Sequence, residues 1–230
     1  MRDFVRWFFR NLLLRTSERE EIDGLWIVAD NQTQLSKVRN ALQLIKAHDP
    51  RRYARSIKDL EGVWVRLLTG PAGQFDYTNY FCELDERFVD RASSENIASA
   101  VIHEAAHARL WRRGVRYDED IRQRVEAICV RQQQAFASRL PAPEVSADDF
   151  GHLLELPATH WSDRAFARKH LHGSIAALRH LNTPHWLIRL VLRRHRALKR
   201  RQRRSATSFA QTQQRAISAL RGPAGDKPTS

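Results

Sequence analysis

Residues 99–111, SAVIHEAAHARLW, constrain this chain more than any other stretch. They set His103 and His107 four residues apart among good helix formers. On an α-helix, side chains at that spacing stand one turn apart on one face, so both imidazoles can meet a single ion. Glu104 points roughly 100° further round the helix, where it can reach a water on that ion without binding the ion itself. Neutral imidazole is a favoured zinc ligand, and a carboxylate beside a zinc-held water can take its proton. That chemistry needs a well-formed helix, and the flanks provide one. Ser93 or Ser94 can cap its start, Glu95 suits its first turn, and Gly114 follows its end. The opposite face carries Ala98, Val101, Ala105 and Ala108, small and apolar enough for close packing.

The run His103-Glu104-Ala105-Ala106-His107 resembles the motif of the zincin superfamily of zinc metallopeptidases. The resemblance is at the level of motifs and covers about residues 22–140. The metzincin branch requires a Gly and then a His after the second motif histidine, but Leu110 and Arg113 occupy those places. Gluzincins instead take a glutamate from a second helix about twenty residues downstream. Residues 118–140 read as such a helix, with Ile121, Val125, Ile128, Phe136 and Leu140 as its apolar stripe. Eighteen residues separate His107 from Glu126, so the resemblance implies Glu126 as the third ligand. Glu119, two turns earlier on the same face, is the alternative ligand or a supporting group. The ordinary reading of Glu126 is a solvated helix glutamate paired with Arg122. Thermolysin-type relatives carry an Asp four residues after the ligand glutamate to orient a histidine. Val130 stands there instead, so that support must come from elsewhere. Cys129, one turn after Glu126, is a further alternative ligand.

The implied activity is hydrolysis of a peptide or protein substrate. His103, His107 and Glu126 would hold Zn²⁺, and Glu104 would serve as general base. Tyr117 and His160 are candidate donors for the oxyanion, chosen for their chemistry and downstream position.

The fold expected around the motif is α+β, a minimal zincin core with a small mixed or antiparallel sheet. An active-site helix and a glutamate helix pack with that sheet, and a helical C-terminal extension follows. Residues 1–20 form a basic amphipathic segment, 21–140 the metallopeptidase-like core, 141–204 the extension ending in a basic run, and 205–230 a tail expected to be disordered. Strands are expected at 23–30 and 62–68, with one or two more within 75–89. Leu35, Val38, Leu42 and Ile45 mark a helix over 32–48, closed by Pro50. Arg51, Arg52 and Arg55 then read as a solvated face. The strand around Tyr77–Leu84 is expected at the sheet edge, where zincins pair with extended substrate. Helices are also expected over 161–180 and from Pro184 onward.

The chain has 230 residues, 42% of them hydrophobic, which suffices for a buried core. A net charge of +13, concentrated in arginine at both ends, points to an anionic partner such as nucleic acid or a membrane surface. Arg6 and Arg10 interrupt the apolar N-terminal stretch, which argues against a signal peptide, and no run of apolar residues is long enough to span a bilayer. Two cysteines without metal-type spacing fit buried thiols in a reducing compartment. The expected location is cytoplasmic, with a peripheral membrane position as the alternative. The arginine bias is that of a GC-rich bacterial genome. Two other classes of function remain open on the same residues. One is a non-catalytic zinc-binding protein. The other is a basic protein binding nucleic acid or anionic membrane, in which the motif is accidental.

Overall fold

The computed structural model describes residues 17–141 and 151–194. The expectations for the N-terminal amphipathic segment, for residues 142–150, for the arginines beyond residue 194 and for the polar tail lie outside the described residues. The chain divides into two compact units, Met1–Ala177 and Leu178–Ser230. The boundary expected at residue 140 therefore falls inside the first unit.

That first unit is α+β, built on a five-stranded mixed sheet. Strand β1 (Glu18–Ile22) and β2 (Leu25–Ala29) form an antiparallel hairpin. Asp23 and Gly24 make its turn with φ of 53° and 85°, the left-handed pair that a tight hairpin needs and that Asp-Gly tolerates. β1 was not expected. Its charged sequence EREEI hides the pattern, and it crosses the boundary placed at residue 20.

Helix α1 (Gln32–His48) follows as expected, with Asn31 capping its start by accepting from the Gln34 N–H at 2.9 Å. Pro50 does not merely end it. It sits in the first turn of α2 (Pro50–Asp59), where its missing N–H costs nothing, and Asp49 is the N-cap. The arginines read as a solvated face belong to this helix.

β3 (Gly62–Arg66), β4 (Gly73–Asp76) and β5 (Phe81–Asp85) complete the sheet in the order β1-β2-β3-β5-β4. β2, β3 and β5 run parallel, and β4 returns antiparallel to β5. The edge beside the site is therefore β4. The strand expected at the edge over Tyr77–Leu84 is instead a turn followed by β5, which lies between β3 and β4. Residues 86–91 leave the extended conformation for a short helix, α3 (Glu86–Arg91).

Helices cover one face of the sheet. Ile27, Val63, Val65, Cys82 and Leu84 point into a core shared with Leu35, Val38, Leu42 and Ile45 of α1. Helix α4 (Ser94–Arg112) carries the histidine motif and presses Ile97, Ala98, Val101 and Ala108 into that core, each fully buried. Ser93 caps α4 through the Asn96 N–H at 3.3 Å. Gly114, at φ 80°, ends it, a left-handed residue just past the last turn. Both ends of α4 are thus as expected.

Helix α5 (Glu119–Ala137) packs alongside α4. Its buried stripe is Val125, Cys129, Val130 and Phe136. Ile128, expected inside, is 39% exposed. Beyond α5 come α6 (Gly151–Leu154), a 3₁₀ turn (Ala158–Trp161) and α7 (Asp163–His180). In the second unit, residues 185–194 are helical and leave Trp186 and Leu190 exposed. Among the described residues, no helix is long and apolar enough to cross a membrane.

Candidate metal centre

Packing α5 against α4 brings three donors from two helices to one point. The Nε2 atoms of His103 and His107 are 3.1 Å apart. Glu126 sets Oε2 3.3 Å from His103 Nε2 and Oε1 3.5 Å from His107 Nε2. Ligands about 2.0–2.2 Å from one tetrahedral zinc stand about 3.3–3.5 Å from each other. Each pairwise distance is close to that spacing, the carboxylate reaching His103 through one oxygen and His107 through the other. His103 and Glu126 keep 15% and 12% side-chain exposure, so solvent reaches the point where they meet.

The surroundings fix how these groups are presented. His103 Nδ1 lies 2.8 Å from Gln133 Oε1, while Gln133 Nε2 donates to Ser99 Oγ at 3.3 Å. With its amide so oriented, Gln133 offers His103 an acceptor. The imidazole proton then sits on Nδ1 and the Nε2 lone pair faces Glu126 and His107. On the other side the Tyr117 hydroxyl donates to Glu126 Oε1. Gln133 replaces the support that Val130 cannot give. It lies seven residues after Glu126 on the same helix face, and Ser99 lies one turn before His103.

Arg122 does not neutralise Glu126, contrary to the ordinary reading of that helix. Its guanidinium donates to the Trp161 carbonyl at 2.6 Å and to Asp163 Oδ1 at 2.8 Å. Stacked against Tyr117 and Phe166, with Arg122–ring distances of 5.0 and 4.6 Å, it ties α5 to the start of α7. Glu126 is left to the histidines and Tyr117.

Glu104 is buried, and the Phe75 backbone N–H donates to its carboxylate. Its Oε1 lies 3.2 Å from where a Cβ on Gly73 would stand, so β4 approaches the carboxylate closely because residue 73 has no side chain. Burial pushes the Glu104 carboxyl up to about 7, with the His103 charge opposing and Glu126 reinforcing the rise.

The same electrostatics ask for positive charge at the meeting point. Burial pulls His103 down, but the hydrogen bond to Glu126 and the charges of Glu104 and Glu126 outweigh it, leaving the imidazole at about 9. His107 falls to about 4 through burial and the neighbouring His103 charge. Burial raises Glu126, yet the His103 hydrogen bond and both imidazole charges hold it at about 2. A mostly enclosed carboxylate that keeps its charge is stabilised by a cation beside it. A proton on His103 supplies one, and a divalent ion would do so more fully. The donor set and its spacing fit Zn²⁺.

The remaining expected residues differ in where they stand. Glu119 is exposed on the first turn of α5, roughly 10 Å along the axis from Glu126, so it is not the third donor. His160 contacts Lys169 Nζ at 2.7 Å and packs edge-on to Trp161. Tyr117 is at the site, but its hydroxyl holds Glu126 and is not free for an oxyanion. Cys129, buried on α5, places Sγ within 4.8 Å of donor nitrogens of both histidines. An aromatic wall of Tyr77, Trp111, Tyr117 and Phe166, not foreseen as a unit, flanks His107.

Comparison with protein-family models, with curated proteins and with solved structures returned no significant match. What defines this chain is therefore its own geometry: an α+β domain with a two-helix His-His-Glu cluster and a buried carboxylate beside it.

Proposed function

We propose that this chain is a zinc-dependent metallopeptidase of the zincin type, with His103, His107 and Glu126 as the metal ligands. The supporting observation is the convergence of the two imidazoles and both Glu126 oxygens at pairwise distances of 3.1–3.5 Å, with Glu104 buried one residue from His103. When bound, zinc would polarise the scissile carbonyl and make a water acidic enough to lose its proton near neutral pH.

The protein's own groups account for the rest of the chemistry. Glu104 takes the proton from the attacking water and passes it to the departing amine. A carboxyl at about 7 is suited to both transfers, because it neither holds nor refuses a proton strongly at working pH. The Phe75 N–H keeps that carboxylate from turning away. Tyr117 and Gln133 hold Glu126 and His103 in their liganding orientations. Edge strand β4, next to Glu104, offers main-chain groups along which an extended peptide can align.

The test is Glu104→Gln assayed on a quenched fluorescent peptide library, with zinc content measured on the same samples. The expected result is unchanged zinc and hydrolysis lower by on the order of 10²–10⁴-fold. Equal hydrolysis by the variant, or zinc-loaded wild type without hydrolysis, would overturn the reading.

A further inference from the structure

The histidine pair has a second neighbour on α5 besides Glu126. Cys129 lies one turn further along that helix, and its Sγ is within 4.8 Å of donor nitrogens of both His103 and His107. The side chain is fully buried, and it forms no disulfide. Sulfur and nitrogen ligands on one tetrahedral zinc, at about 2.3 and 2.0–2.1 Å, stand about 3.6 Å apart. The 4.8 Å limit exceeds that spacing by about 1.2 Å, a gap that side-chain rotation can close. Glu126 and Cys129 are three residues apart on one helix, and His103 and His107 four apart on another, so each helix presents two donors to its neighbour. Cys82, the other buried thiol, is not part of this cluster.

We infer that Cys129 is a fourth protein ligand to the ion, making the donor set two imidazoles, one carboxylate and one thiolate. This rests on the metal-site reading above and changes its consequence. On binding, the thiol proton leaves to solvent and a metal–sulfur bond forms. Four protein donors fill a tetrahedral sphere, the arrangement of closed sites, whereas a hydrolytic site keeps one position free. The attacking water must then displace the thiolate or enter as a fifth ligand, so Cys129 governs how readily the site opens to hydrolysis. A thiolate also shifts preference toward softer ions and tightens retention.

The full-length protein loaded with Co²⁺ tests this, because thiolate bound to Co²⁺ gives an intense near-ultraviolet charge-transfer absorption that nitrogen and oxygen donors do not. Wild type and Cys82→Ser should show the band. Cys129→Ser should bind Co²⁺ without it, release the metal faster to a chelator, and hydrolyse peptide faster than wild type at equal metal content. Co²⁺ bound by wild type with no such band would overturn the inference and leave His103, His107 and Glu126 standing. A band surviving in Cys129→Ser would overturn it equally. Failure of wild type to bind Co²⁺ or Zn²⁺ at all would remove the metal site itself. The wild-type spectrum decides the matter even if the variant does not fold.

Discussion

Glu126 shows what a single residue's surroundings decide. A glutamate on a basic helix would ordinarily pair with an arginine one turn away, yet Arg122 is engaged by Trp161 and Asp163. The carboxylate instead meets two imidazoles at a mostly enclosed point, and a pH dependence follows. In chelator-stripped protein the fold raises His103 from its ordinary 6.5 to about 9. Its protonated form is then favoured by folding, so the associated stability is fully present below about pH 6.5 and lost as pH rises through 9. Glu104, raised from 4.5 to about 7, loses stability over a lower window. His107, lowered to about 4, gains it back over nearly the same range. Glu126 acts only in acid, its contribution vanishing as pH falls through about 2. Denaturant midpoints of stripped protein should therefore fall between about pH 6.5 and 9, and His103→Ala should flatten that fall. A flat wild-type profile would contradict the His103–Glu126 coupling.

At the scale of elements, what was legible depended on how local the signal is. The start and end of α4 were legible because Ser93, Glu95 and Gly114 act within one turn of the chain. Pro50 was ambiguous for the same reason: proline stops one helix and starts another equally well, and only Asp49 behind it favours the start. β1 was hidden by a sequence of charges, although Asp23-Gly24 is itself a hairpin signal. The edge position of β4 was not legible, since strand order is set by pairing across the sheet. Contact between α7 and the loop after β3 was also beyond sequence. Gly173 packs so closely that an added Cβ would lie 2.1 Å from the Thr69 carbonyl oxygen and 2.5 Å from its carbon. Backbone cannot yield as a flexible side chain can, so Gly173→Ala must displace α7. The expected cost is about 1–3 kcal/mol in thermal or denaturant unfolding. Phe166 on α7 packs 6.1 Å from Tyr117, so metal affinity should weaken too. An unchanged Tm and unchanged zinc affinity would mean that α7 does not pack there.

For the whole molecule, the histidine pair could be read from one helix, but the third proposed donor depends on two helices meeting. The resemblance pointed to Glu126, whereas nothing local separated it from Glu119, and Gln133 drew no attention because an amide carries no motif. A site assembled this way couples metal binding to folding. Zinc at about 100 times its Kd should stabilise the protein by about 2.7 kcal/mol, readable as a Tm that rises with free zinc and falls with chelator. A Tm indifferent to zinc would separate metal from fold. The most direct test is metal analysis of wild type beside His103→Ala and Glu126→Ala, each purified without chelators. Wild type should hold about one zinc per chain, and both variants should lose it. Wild type that is metal-free and takes up no zinc, or Glu126→Ala that retains it undiminished, would contradict the His-His-Glu centre.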